Sequence, residues 1–218
     1  MPFNIETFKS SLEQDGYLKT SNYQVIIAPP PVMRNDAVNG QSVNGIASNM
    51  TFKIDSVRSP SVSLNSTDIA RYGIGVTQKQ VFGAQMGEIS FSVISDKYGD
   101  IWSFWHEWIR SIFDFTGDAY GTGISTNRIA TYVSEYKDNY ATTMQIIVFD
   151  PFGNIAQTID IYDAFPTNMR EINLSWDTDE LIRLNISMAF KEYTIRGSSI
   201  TPLSIAEQLV EDVIQSII

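Results

Sequence analysis

Few residues in this chain could do chemistry. There is no cysteine and one histidine, His106, so disulfides, thiolate nucleophiles and cysteine-ligated zinc sites are excluded. His106 stands between Trp105 and Glu107. Neither flank resembles the elbow that presents a nucleophilic serine, and a solvated or hydrogen-bonded imidazole accounts for it. Asp150-Pro-Phe-Gly153 shares letters with the kinase Asp-Phe-Gly, yet the inserted proline and the missing companion motifs exclude that reading. Gly117-Asp-Ala-Tyr-Gly-Thr-Gly123 lacks the Gly-Lys-Ser/Thr ending of a phosphate loop and reads as a flexible, glycine-rich turn region extending to Asn127. Asp177, Asp179 and Glu180 are close enough in sequence for acid–base or calcium work. They lack EF-hand spacing, and a turn between strands explains them. No catalytic constellation, metal-ligand set or cofactor motif emerges, and the chain reads as a non-enzyme with no cofactor.

The elements that must carry any other function come from a chain of 218 residues that is 43% hydrophobic and 12% aromatic. That is enough for one domain with a real core. The formal net charge of −10 repels phosphate and argues against a surface that grips nucleic acid. It fits either plain solubility or a surface past which a polyanion moves without sticking; composition does not separate the two. Met1 to Ser11 has no basic and apolar leader pattern, so no secretory signal is expected. No run approaches the roughly 18 apolar residues of a spanning helix.

Period and punctuation predict a mainly β (α+β) chain. Ile5, Phe8 and Leu12 set a short helix over Asn4 to Gln14, within an N-terminal extension of residues 1–16. Asn22 to Ile27 reads as a strand ended by Pro29, Pro30 and Pro31. Residues 33–49, polar and rich in Asn, Gly and Ser, read as a long loop inserted in the main domain. Strands are expected at Thr51 to Val57, Gln78 to Phe82 and Glu88 to Ile94, the last alternating Ile89, Phe91 and Val93 with Ser90 and Ser92. A helix follows from about Tyr98 to Phe113, with Ser95 and Asp96 as caps. Its apolar side chains go almost all round, which predicts packing on its own sheet and on a partner. Thr142 to Asp150 and Ile155 to Tyr162 form a hairpin through the type I turn at Asp150. Strands at Glu171 to Trp176 and Leu181 to Tyr193 close the main domain, residues 17–196. The second of these is long for a strand and suits a barrel wall. Residues 197–218 read as an amphipathic helix with Ser204 and Glu207 as a capping box.

The stretch Phe165-Pro-Thr-Asn-Met-Arg-Glu-Ile-Asn-Leu-Ser-Trp-Asp177, and the alternating strand ending Phe190-Lys-Glu-Tyr193, resemble the closing segment of contractile-phage tail tube proteins. Ser59 to Leu64 and Lys79 to Phe82 resemble the loop and strand before that family's central strand. Glu88 to Ser95, then Asp96 and the helix, resemble its strand-then-helix unit. The likeness covers most of Asn22 to Tyr193. It implies a tube-type β-barrel or sandwich with one packed helix, whose strands pool across subunits into hexameric rings. The rings would stack into a conduit for DNA ejection, contact sheath and baseplate or terminator proteins, and assemble in the host cytoplasm into the virion tail. No membrane insertion is implied.

Under that resemblance the small polar residues Ser90, Ser92, Asn173, Ser175, Asn185 and Ser187 are candidates for the lumen, with a merely solvated sheet face as the alternative. Arg183 on the same face counts against an acidic lumen. Trp102, Trp105, Trp108, Ile112, Asn39 and Asn44, with Leu209, Val213 and Ile217 of the terminal helix, are candidates for subunit interfaces. The residue 33–49 insertion and the terminal helices depart from the simplest tube proteins. They fit an ordinary tube subunit or a baseplate ring that initiates the tube. A monomeric ligand-binding β-barrel is the alternative from a different class.

Overall fold

The computed structural model describes residues 5–6, 9–10, 16–70, 73, 76–113, 134–172, 174–177 and 180–197. The glycine-rich segment Gly117 to Asn127 and, apart from Gly197, the C-terminal helix expected over 197–218 lie outside the described residues. Near the N-terminus Ile5, Glu6, Lys9 and Ser10 are helical.

The fold is mainly β. In chain order the strands and helices are β1 (Tyr23–Ile27), β2 (Ala37–Val38), β3 (Gln41–Ser42), α1 (Val43–Met50), β4 (Ile54–Arg58), β5 (Val62–Ile69), β6 (Gln78–Met86) and β7 (Ile89–Ile94). There follow α2 (Asp100–Ile112), α3 (Lys137–Tyr140), β8 (Thr142–Phe149), β9 (Ile155–Met169), β10 (Arg183–Ala189) and β11 (Glu192–Gly197). The main sheet runs β1-β8-β9-β10-β7-β4, with β11 also paired to β9. Within one copy this path is open, with β1 and β4 at its ends. The β2–β3 and β5–β6 pairs are separate two-stranded sheets.

The chain divides into two compact units. The larger holds Val25–Met144 and Ile161–Tyr193 and contains α2 on the apolar face of β7 and β10. Phe104, Trp105 and Trp108 are completely buried there, with Ile89, Val93, Leu184, Ile186 and Met188. Each such side chain contributes on the order of 2–3 kcal/mol by leaving water. Phe91 of β7 meets Trp105 with ring centroids 5.5 Å apart, which seats the helix on the strand. The helix starts where the sequence predicts, with a different cap. Gly99 takes the N-cap position at φ 74, a left-handed conformation that glycine adopts without a Cβ penalty. Asp96 accepts from Ile101 N at 3.2 Å, so its carboxylate satisfies a first-turn amide from three residues before the cap.

The smaller unit comprises Met1–Gln24, Gln145–Asp160 and Thr194–Ile218. Here the turn after β8 forms as expected. Gly153 N donates to Asp150 O at 3.1 Å, and Asp150 Oδ1 accepts from the amides of Phe152 and Asn154, both at 2.8 Å. Gly153 has φ 88, the position where a hairpin loop of this kind needs glycine.

Four expectations are corrected. Residues 33–49 are structured rather than a long loop. After a 3-10 turn at Pro31–Met33, β2 and β3 join through Asn39 and Gly40, both at positive φ, as a tight hairpin requires. Then α1 buries Val43, Ile46, Ala47 and Met50. Ser42 caps α1 by accepting from Gly45 N at 3.2 Å. The first part of Thr51 to Val57 is a turn, with β4 beginning at Ile54. No strand forms among the described residues of 171–176, and none of the described strands pairs with them. Finally, Leu181 to Tyr193 is two strands, β10 and β11, broken at Phe190 and Lys191. The long strand is instead β9, of 15 residues.

Candidate functional site

Three strands, β4, β7 and β10, set a two-faced surface. In the antiparallel register of β10 with β7, Asn185 lies opposite Ser92 and Ser187 opposite Ser90. In that of β4 with β7, Ser56 lies opposite Ser92 and Arg58 opposite Ser90. Residues directly opposite share a face. Ser90, Ser92, Asn185 and Ser187 therefore stand on the side away from α2, with Ser56, Arg58 and Arg183, but Ser92 and Ser187 are covered by their own chain and only Ser90 and Asn185 of these four lumen candidates reach its surface. Ser175 is exposed in the segment between β9 and β10 and is not on this sheet face; Asn173 lies outside the described residues.

Arg183 does not stand alone on this face. The register of β4 slips between Ile54 and Ser56, which makes Asp55 the extra residue of a bulge and re-aims its side chain. Asp55 Oδ2 accepts from Arg183 Nε at 2.7 Å. The pair thus reaches over β7 and leaves Ser92 buried between its partners at 6% exposure. Burial pushes the Asp55 carboxyl up, but the hydrogen bond and charge of Arg183 outweigh it and hold the group below its usual range. Ser92 lies close enough to Asp55 to help hold it down, but its Oγ forms no hydrogen bond of normal geometry.

The second surface is the β5–β6 ribbon. Every residue of β5 is exposed, and in β6 only Gly83 is half-buried. Cross-strand pairs Val62–Met86, Leu64–Ala84 and Ser66–Val81 lie on one side. Ser63–Gln85, Asn65–Gly83 and Thr67–Gln80 lie on the other. Asp68–Lys79 continues the first side and Ile69–Gln78 the second, so one face is mostly apolar and ends in a charged pair, and the other is mostly polar and uncharged. Phe82, skipped by the register shift between Asn65 and Ser66, is 70% exposed. Strand β5 is not among the strands expected from the sequence, although its alternating apolar and Ser/Asn/Thr residues carry a signal for it.

The interface candidates divide. Trp105 and Trp108 are completely covered by their own chain, which corrects their assignment to a partner surface. Both indole N–H groups are engaged internally. Trp105 Nε1 donates to Met50 Sδ at 3.2 Å and Trp108 Nε1 to Tyr140 O at 3.0 Å. Trp102 is 37% exposed and Ile112 half-buried, so an outer edge of α2 stays available. Asn39 spends its amide within the chain, donating to Asp100 Oδ1 at 3.0 Å and Ser103 Oγ at 3.2 Å. Asn44 donates to Arg34 O at 3.4 Å. Leu209, Val213 and Ile217 lie outside the described residues.

His106 Nδ1 lies 3.8 Å from Glu107 Oε1, which also meets Arg110 at 3.6 Å. These three charged or titratable side chains lie together on the surface of one helix. Among the described residues no three His, Asp or Glu side chains are grouped to hold a metal.

Solved structures of contractile particles share this fold. A chain of the sheath-tube complex of an extracellular contractile injection system (PVC, extended state) superposes with a TM-score of 0.54 at 12% identity, covering 86% of this chain and 97% of that one. A chain of the anti-feeding prophage baseplate gives 0.53 at 9% identity, covering 84% and 98%. One from the tube-terminating cap of that particle gives 0.51 at 13%, covering 83% and 91%. No curated protein sequence matches the chain. The family model described as phage tail tube protein matches residues 18–196, so the chain belongs to the phage tail tube protein family, a structural tail component rather than an enzyme.

Proposed function

We propose that this chain is the repeating subunit of a contractile tail tube, that identical copies close into hexameric rings, and that stacked rings form the conduit for DNA ejection. The observation that carries this reading is the β5–β6 ribbon. A two-stranded hairpin alone is marginally stable in water, and this one exposes Val62, Leu64, Val81, Phe82 and Met86. Its apolar face needs a cover, and in a homopolymer the cover is another copy. The open ends of the main sheet at β1 and β4 offer backbone groups through which copies join into one wall. The polar face of β4, β7 and β10 then lines the channel, where short uncharged side chains outnumber Arg58 and Arg183 and a net charge of −10 leaves a polyanion few contacts. Sheath and baseplate or terminator proteins are the partners such a tube meets. Assembly takes place in the host cytoplasm, and the finished subunit belongs to the virion tail.

Negative-stain imaging with sedimentation velocity of concentrated protein tests this. Six-fold rings that stack into tubes support the reading. Single rings that never stack transfer the chain to a tube-initiating role in the baseplate. A monodisperse monomer at every concentration overturns it in favour of a ligand-binding barrel.

A further inference from the structure

We infer that Asp55 is a charge-masking residue, which cancels Arg183 on the channel face so that passing DNA is not held there. The inference rests on the tube-wall reading. It starts from the charges on one face of β4, β7 and β10. By register that face carries Ser56, Ser90, Ser92, Asn185 and Ser187 with two guanidinium groups, Arg58 and Arg183. An unpaired arginine on a channel wall is a phosphate contact repeated in every copy. Each phosphate neutralised adds about 0.9 to the slope of log affinity against log salt.

Three features of Asp55 fit a mask better than a chance surface pair. It occupies a bulge, and a bulge re-aims a side chain that a regular strand would place elsewhere. It meets Arg183 at 2.7 Å through Nε, a short charge-assisted hydrogen bond. The two residues are 128 positions apart and span the intervening strand β7, so the contact is built by the fold. An exposed ion pair contributes little to stability, but the carboxylate offsets the local positive charge and occupies the Nε donor. Arg58, exposed opposite Ser90, has no carboxylate within 4.0 Å among the described residues. It is the remaining cation of the face, set across the strand from a serine.

The test uses assembled tubes of the full chain and a fluorescent DNA duplex, with co-pelleting measured across a salt series. Asp55→Asn keeps the size of the side chain and unmasks Arg183. Asp138→Asn, at an exposed carboxylate of α3, makes the same change in net charge elsewhere. Asp55→Asn tubes should retain several-fold more DNA than wild type, with a salt slope steeper by about 0.9 per engaged copy. Asp138→Asn tubes should match wild type, and Asp55→Asn with Arg183→Gln should return retention to the wild-type level. Equal retention by Asp55→Asn and wild-type tubes overturns the inference while leaving the tube reading intact. Absence of tubes in the wild type overturns the tube reading instead. If Asp55→Asn alone does not assemble, a second single variant is used. Tubes of Asp55→Ser, which also keeps Arg183 and lacks the carboxylate, then decide: several-fold more retained DNA supports masking, wild-type retention overturns it, and failure of Asp55→Ser to assemble makes the pair a structural clamp and sinks the proposal.

Discussion

Trp105 and Trp108 stack with ring centroids 5.2 Å apart and 15° between their planes, and Phe104 meets both edge-on, at 5.4 Å and 5.7 Å. This cluster joins α2 to β7 on one side and, through Met50, to α1 on the other. Replacing Trp105 by alanine removes the centre of the cluster and is expected to cost about 3–5 kcal/mol, read as a lower urea midpoint. Trp102 is partly exposed on the same helix, and Trp102→Ala should change folding stability by far less. Equal losses for the two variants would return Trp102 to the core.

Asp160 is the buried charge of the smaller unit. Gln145 Nε2 donates to its Oδ1 at 2.7 Å, and Arg196 of β11 bonds its Oδ2. A buried ion left without its partner costs roughly 3–5 kcal/mol. Arg196→Met should therefore destabilise the protein strongly and raise amide exchange along β11. Arg196→Met with Asp160→Asn should recover part of the loss, because the stranded charge is gone. A double variant no more stable than the single one would show that packing of the Arg196 stem, rather than charge, fastens β11.

The sequence made some of this legible and hid the rest for identifiable reasons. The strand Ile89–Ile94 was plain because Ile89, Phe91 and Val93 face a helix of the same chain while Ser90 and Ser92 do not. Helix α1 was hidden because Val43, Ile46, Ala47 and Met50, spaced for one helical face, sit among Asn, Gly and Ser of low helix propensity. Tertiary contact with Trp105 is what holds it. Strand β5 was hidden because neither of its faces is buried within the copy, so the alternation that marks a half-buried strand is diluted by Ser, Asn and Thr. The opposite error arose at Ile172, Leu174 and Trp176. Their spacing is that of a strand, but Leu174 is 68% and Trp176 fully exposed, with no strand beside them. Pattern reports what a segment can pair with, not whether the partner is in the same chain. The tryptophans of α2 show the same limit, since apolar residues all round a helix do not say which of them meet the chain's own sheet. The bulge at Asp55 left no trace in the sequence, so the pairing of Arg183 was invisible there.

The ribbon separates folding from assembly. Leu64 and Val81 are 63% and 53% exposed and lie on its apolar face. Leu64→Gln with Val81→Gln should leave the thermal midpoint of the isolated chain nearly unchanged, as surface substitutions do within about 0.5 kcal/mol each. The same pair of changes should abolish tube formation in the imaging assay. Tubes that form normally from this variant would mean that the apolar face is not what another copy covers.

Acid should weaken the fold through a small set of carboxylates. Asp150 is held below its usual range, because hydrogen bonds from Asn154 and from the amides of Asn154, Phe152 and Gly153 outweigh the opposing effect of burial. Glu135 is lowered by the Asn139 amide and the Tyr136 N–H, and Asp55 by Arg183 against the pull of burial. In the unfolded chain these groups titrate near 3.9 for Asp and 4.3 for Glu. A carboxyl whose folded value is depressed binds fewer protons in the native state. Its stabilisation is complete above the unfolded value and is lost as pH falls through the folded one. Thermal midpoints should therefore be level above about pH 5 and decline below about pH 4. Asp150→Asn, which keeps one carbonyl acceptor for the turn and cannot ionise, should have a lower plateau and a shallower decline. A wild-type midpoint that rises on acidification through that window would contradict the assignment of these groups as stabilising in their ionised form.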